Sequence, residues 1–420
     1  METGVLYPAP GQGDTFRVLN YPPLSLLVAR GMAALGATPL LAGRGANGLA
    51  FLALLAAVTL WARARGARGP ALAGTVGLLG ASFPVLYASG QLHVELWAAA
   101  GTVAGFGLLD RGGSRWTPWL AGGALALACF AKHTQVVPAL MALAWAWRHR
   151  RDAAPVATAV FVGMGVAGSA GITAAWGMEA WRHLLTYTVG TYALWNLAFQ
   201  AASHVLPWVV FLAFAVVSAR REGATAAKDP LVWYGAGALA WSLSAARLGS
   251  SYPYFLDLHL ALALWVGPRL FGGEAPWKGA AWRWLLALQV VGANAGTGAI
   301  LLRNLTEQRA LAAALPELCA SVGGAPGPMV TEAAGLARAC GRPARIHPFI
   351  MTSLAGQGLW DQSTFVARLR QGAYGGALLP FHPAAPDADD RLRWSPAMLD
   401  AFKEAPKVEE EAAGYWVARW

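Results

Sequence analysis

From residue 46 to residue 302 the chain reads as apolar runs separated by short charged clusters. The runs fall at 46–62, 71–89, 94–109, 118–132, 134–147, 155–176, 203–219, 231–247, 253–267 and 284–302. This pattern predicts about ten hydrophobic helices, several of them short for an unaided bilayer crossing. The clusters between them alternate in charge. One set holds Arg63, Arg65, Arg68, Arg111, Arg115, Arg148, Arg150, Arg151, Arg220, Arg221, Lys228, Arg269, Lys278 and Arg283, whereas the alternate loops hold only Lys132, Arg182 and Arg247. Basic residues concentrate on the cytoplasmic side of membrane proteins, so the N-terminal segment and everything after residue 302 are expected outside.

The flanks of this region read differently. In "LNYPPLSLLVARG", residues 19 to 31, Pro22 holds Tyr21 extended and Pro23 pre-sets a helical φ. A short helix starts there abruptly, with Leu24, Leu27, Val28 and Met32 on one side, and is expected to lie at a membrane surface. Residues 1–20 lack the apolar centre of a cleavable signal peptide. The aromatic, weakly charged stretch 177–202 reads as interfacial helices and a loop on the outer face. Residues 303–420 mix short apolar strands, helices and Gly-Pro turns, as a small α/β domain would. The expected organisation is an external loop and surface helix over 1–45, a transmembrane helical domain over 46–302 and a small soluble extracytoplasmic domain over 303–420.

Composition agrees with a membrane protein. Of 420 residues 56% are hydrophobic, 13% are charged and 20 are tryptophan, with a mean hydropathy of +0.43. The net charge of +10 does not point to nucleic acid, because the arginines sit in the clusters between apolar runs. Cys129 falls inside a run as a packing residue, while Cys319 and Cys340 fall in the external tail, where a disulfide is permitted but not required. No 20 to 50 residue repeat or inverted duplication is visible, and no phosphate-binding glycine loop, zinc spacing or nucleophile elbow.

Ionisable residues at or within membrane spans are costly and so are candidates for function. Three groups stand out. In "SGQLHVELWAAA", His93 and Glu95 sit at the outer mouth of a run, either wetted at the interface or facing a polar cavity. In "CFAKHTQVVP", Lys132 and His133 interrupt an apolar stretch; Lys132 either snorkels to the interface or holds a phosphate as a point charge. In "SAARLGSSYPYFLDLHLALAL", Arg247 precedes a Gly-Ser-Ser turn, and the next run begins at Tyr252-Pro253-Tyr254 with Asp257 and His259 in its first two turns. An arginine beside a helix N-terminus suits an anion. All three groups fall on the outer side of the expected topology.

Taken together, "YPPL", "AKHTQ", "GSSYPYFLDLHLALAL" and "PFIMTSLAGQGLWD" resemble the polytopic GT-C glycosyltransferases, the polyprenyl-phosphate-sugar-dependent group that includes protein mannosyltransferases and lipid A aminoarabinose transferases. The resemblance runs from Gly4 onward, and each motif alone is loose. It implies an all-α polytopic membrane protein with a small C-terminal α/β extracytoplasmic domain, in the bacterial cytoplasmic (inner) membrane. It implies transfer of a sugar from a polyprenyl-phosphate donor to an external glycan, lipid or protein acceptor. Tyr21, Tyr254 and Asp257 would line the cavity; Lys132, His133, Arg247 and Tyr252 would bind the donor phosphate. Glu95, supported by His93, would orient the acceptor or a divalent metal. The family's general-base aspartate follows a first transmembrane helix, and both would lie upstream of "METGVLYP" or be missing. Asp14 is the substitute base to test, and the chain as it stands is expected to be catalytically impaired. The competing expectation is a non-catalytic membrane protein or a transporter on the same scaffold.

Overall fold

The computed structural model describes residues 6–8, 18–89, 93–188, 190–272, 280–323, 327–345, 348–410 and 414–420. From residue 24 to residue 181 all the regular elements among the described residues are helices, chiefly α1 (Leu24–Ala34), α2 (Pro39–Ala64), α3 (Gly69–Gly80), α4 (Phe83–Ser89), α5 (Glu95–Arg111), α6 (Thr117–Ala131), α7 (Val136–His149) and α8 (Ala154–Trp181). There follow α9 (Leu194–His204), α10 (Val209–Glu222), α11 (Pro230–Ser242), α12 (Leu256–Phe271) and α13 (Ala280–Gly323). Prolines set several of the starts. Thr38-Pro39 opens α2 and Asp229-Pro230 opens α11, where the side chains of Thr38 and Asp229 accept from Leu41 N and Leu231 N. Pro23 stands one residue ahead of its expected place, as the N-cap of α1 with φ −78°.

The helices differ from the predicted runs where length is concerned. Leu41–Ala64, Ala154–Thr186, Leu194–Glu222 and Trp284–Val322 are long and apolar enough to cross a membrane, and α3 with α4 adds a fifth if this pair, bent by 70°, is one broken span. The runs at 94–109, 118–132, 134–147, 231–247 and 253–267 become α5, α6, α7, α11 and α12, of 17, 15, 14, 13 and 16 residues. Their shortness goes with burial: every residue of α12 from Leu256 to Gly267 is buried, so protein rather than lipid surrounds it. The last run overshoots in the other direction. Past residue 302, Arg303 pairs with Glu307 one turn on and no proline or glycine intervenes before Pro316, so α13 continues for 44 residues.

The chain divides into two compact units, 21–171 with 191–301, and 1–20 with 172–190 and 302–420. In the first, small residues let helices approach closely. A Cβ on Gly101 would stand 2.7 Å from Ala124 O, one on Gly105 2.5 Å from Leu125, and one on Gly122 2.4 Å from Ala157 O. The break between α3 and α4 is held by polar contacts: Ser82 Oγ meets His259 Nδ1 at 3.0 Å, and Thr297 Oγ1 donates to Ala81 O at 3.2 Å. One end of this unit gathers the basic clusters. Arg65 bridges Asp110 (2.9 Å) and Asp229 (2.5 Å), Arg150 donates to Leu109 O, and Arg269 pairs with Glu222. Charges far apart in sequence thus meet at one level.

The second unit carries β1 (Met329–Thr331), α14 (Ala334–Ala339), β2 (Ala344–Arg345), α15 (Pro348–Gly356), α16 (Ser363–Arg370), β3 (Ala377–Leu379), α17 (Ala388–Arg393), α18 (Pro396–Lys403), β4 (Lys407–Glu410) and β5 (Trp416–Arg419). The sheet order is β2-β1-β3-β5-β4, parallel between β2, β1 and β3 and antiparallel from β3 onward. Trp394, Met398 and Phe402 close one face of its core with Val330 and Leu379. A disulfide joins Cys319 on α13 to Cys340 after α14. His183 binds the first residues of the chain: Nε2–H donates to Pro8 O at 2.8 Å and Nδ1 accepts from Leu19 N at 3.0 Å.

Candidate active site

At the opposite end of the first unit from the basic clusters, the three sequence groups converge. Glu95 is the first residue of α5 and Lys132 the C-cap that directly follows α6, and both side chains are buried, 3% and 5% exposed. Two ions removed from water must compensate one another. Lys132 Nζ stands 3.2 Å from Glu95 Oε1, and the other carboxylate oxygen faces His93 Nδ1 at 3.3 Å. His93 Nε2 is 3.0 Å from the Tyr252 hydroxyl. Lys132 also lies over the Tyr254 ring, 5.3 Å from its centroid, and that ring stacks on Trp241.

The loops presenting these groups are fixed by buried amides. Asn47 accepts from His93 N at 3.2 Å through Oδ1 and donates to Ala88 O, tying α2 to both sides of the segment before α5. Lys132 is extended, φ −148°, because a single 3₁₀ turn over His133–Gln135 separates α6 from α7. That turn aims Gln135 inward. Its Nε2 donates to Asp257 Oδ2 at 2.7 Å and its Oε1 accepts from Thr102 at 3.0 Å, while Tyr234 donates to Asp257 Oδ1 at 2.7 Å. Asp257 is therefore a fully engaged, buried carboxylate one layer below the Glu95 pair.

Arg247 sits on the turn between α11 and α12. Asn196 on α9 donates to Ala245 O, Arg247 O and Ser250 Oγ, and Leu248 N donates to Thr191 O, so the turn is clamped at four points. The charge of Arg247 acts on both His133 and Tyr21, and Tyr21 in turn lies within the field of Glu95 and Lys132. His133 Nδ1 is buried without a hydrogen-bond partner among the described residues. Beside Tyr252, a ring cluster of Phe83, Tyr87 and His204 leads to a cleft of about 270 Å³ lined by Trp208, His259 and Gly296 among others.

Ten of the eleven residues singled out from the sequence thus fall in one region, His259 through the cleft beside Tyr252, and Asp14 lies outside the described residues. Lys132 does not snorkel outward; it is buried on Glu95. Asn47, Thr102, Gln135, Asn196 and Tyr234 were not anticipated. Asn47 and Gln135 had a signal, a lone amide in or beside an apolar run. No three His, Cys, Asp or Glu side chains converge among the described residues. Among the described residues the ion-pair partners of Glu95 are Lys132 and His93, a cation and an imidazole, which do not by themselves make a metal-ligand set.

The apolar helices with their buried polar site, and the small five-stranded sheet after the last long helix, make a helical membrane-protein fold of the kind solved for ArnT. The chain is similar to the crystal structures of ArnT from Cupriavidus metallidurans in the apo state, at 15% identity, and bound to undecaprenyl phosphate, at 14%. For both the TM-score is 0.63, over 97% of this chain and 90% of the other. No protein-family model matches the chain. Nor does any curated protein.

Proposed function

We propose that this protein moves a glycosyl unit from a polyprenyl-phosphate carrier to an acceptor on the outer side of the bacterial inner membrane. The observation that supports this best is the contact of buried Glu95 with Lys132 and, through His93, with Tyr252, with Arg247 within electrostatic reach of Tyr21 alongside, in a fold shared with a protein solved with undecaprenyl phosphate. In the reaction the bond between the sugar anomeric carbon and the carrier phosphate oxygen breaks, and its electron pair stays on the phosphate. The acceptor oxygen forms the new bond and gives its proton to a base. Stabilising the departing phosphate is the main electrostatic demand. Arg247, on its clamped turn, and Lys132, held by Glu95, supply cations, and the Tyr252 hydroxyl supplies a donor. Glu95 and His93 orient the acceptor, and Asp14 or Glu95 takes its proton. The cleft beside Tyr252 accommodates the isoprenoid chain. The unit holding the Cys319–Cys340 disulfide then faces an oxidising compartment, as expected outside the inner membrane.

The experiment is sugar transfer and polyprenyl-phosphate binding by the full chain in lipid. Losing a charge-assisted contact costs about 1.5–3 kcal/mol, so Arg247→Ala should weaken carrier binding by about tenfold or more. Carrier binding unaffected by both Arg247→Ala and Lys132→Ala would defeat this reading. Binding without turnover in a full set of donor sugars would favour the non-catalytic alternative.

A further inference from the structure

A second site lies at the basic end of the first unit. The C-terminus of α5, the turn 112–116, the start of α6 and the start of α8 enclose a cleft of about 410 Å³. Its floor is the Arg150 guanidinium, which donates to Leu109 O at 2.8 Å and Asp110 O at 3.3 Å and pairs with Asp152 at 3.4 Å. The turn admits this only because residue 112 is glycine: its φ is +61°, and a Cβ there would stand 2.4 Å from Arg150 Nη2. Arg115, exposed at the rim, reaches over the Trp116 ring at 5.2 Å.

Two further features describe what fits there. The cleft is lined by Arg115 and Arg150 with Asp152, Arg111, Arg148 and Arg151 adjoin it in sequence, and Asp110 is already bound by Arg65 and Trp61, so positive charge predominates. The rim is also aromatic. Trp116, Trp119 and Trp147 are 58%, 55% and 49% exposed, and below them Leu120 and Leu127 on α6 and Val162 and Val166 on α8 present an outward apolar surface. Tryptophans mark the headgroup depth of a bilayer, and a basic pocket between spans at that depth suits a lipid phosphate.

We infer that this cleft binds the phosphodiester headgroup of an anionic glycerophospholipid, with the acyl chains lying along α6 and α8. The ion pair of Arg150 with Asp152 forms the base of the site, and Arg115 closes on the phosphate from the rim.

The test is native mass spectrometry of the full chain in detergent, titrated with phosphatidylglycerol, with phosphatidylcholine and with inorganic phosphate. Phosphatidylglycerol should be retained about tenfold more than phosphatidylcholine, equivalent to about 1.4 kcal/mol. Arg115→Glu, at the exposed rim over the Trp116 ring, should remove that preference, whereas Arg221→Glu on the same end should keep it. Equal retention of the two lipids would overturn the assignment. So would equal losses in the two variants, which would mean a diffuse basic surface. Inorganic phosphate displacing the lipid at millimolar concentration would also overturn it, because the site would then read a free anion.

Discussion

At the scale of single residues, the site is built from ions and amides that cannot be exchanged singly. Glu95 and Lys132 are both buried, so each exists as an ion because of the other. Removing one partner of a buried pair leaves an uncompensated charge, at a cost of about 3–5 kcal/mol, while replacing both is often nearly neutral. Lys132→Met should therefore lower the unfolding midpoint sharply, and the double variant Glu95→Gln with Lys132→Met should recover most of it. Carrier binding should not recover, because the cation is gone in both. The check is thermal unfolding and polyprenyl-phosphate binding of wild type, single and double variants. A double variant that binds the carrier as wild type does would mean the pair only holds α5 to α6. The polar residues in apolar surroundings were legible in the sequence because hydrocarbon penalises them. Their partners were not: the apolar runs break at residue 133, but the pairing of Lys132 with Glu95 depends on the 3₁₀ turn at His133–Gln135, which the runs do not encode.

At the scale of elements, close packing of glycine faces substitutes for the hydrophobic effect, which has little force between helices in lipid. Gly101 and Gly105 are one turn apart on α5 and meet the backbone and side chains of α6 from Ala121 to Ala128. Gly101→Val would force its Cβ against Ala124 O, and overpacking of this kind typically costs about 1–3 kcal/mol. The same shift moves the C-terminal end of α6, where Lys132 sits, relative to Glu95. We expect Gly101→Val to lower both thermal stability and carrier affinity, and Gly163→Val, at an open position on α8, to change neither. Equal effects of the two substitutions would show that α5–α6 proximity does not set the site. Helix existence was readable from the apolar runs, and helix length was not. The run 253–267 is short because α12 is buried on all sides, and 284–302 is continued by a polar but helix-forming stretch to Gly323; burial and continuation are both tertiary facts.

At the scale of the whole molecule, the proposed reaction demands that each end of the helical unit face a particular compartment. The basic clusters read from the sequence do meet at one end of the first unit, through Arg65, Arg150 and Arg269, and the candidate active site lies at the other. The distribution of arginine and lysine favours a cytoplasmic basic end, and under the proposed function the candidate site then opens outward. The disulfide gives an independent argument in the same direction, since cytosolic thiols are kept reduced. Two exposed positions separate the alternatives: Thr225, between α10 and α11 at the basic end, and Thr364 on α16. With Cys129 replaced by serine and the Cys319–Cys340 bond left in place, Thr364→Cys should react with an impermeant thiol reagent in spheroplasts, whereas Thr225→Cys should react only after the membrane is opened. The reverse pattern would place the sheet unit in the cytoplasm. It would leave the buried Glu95–Lys132 site facing the wrong side for an external acceptor, and the glycosyl-transfer reading would fall with it.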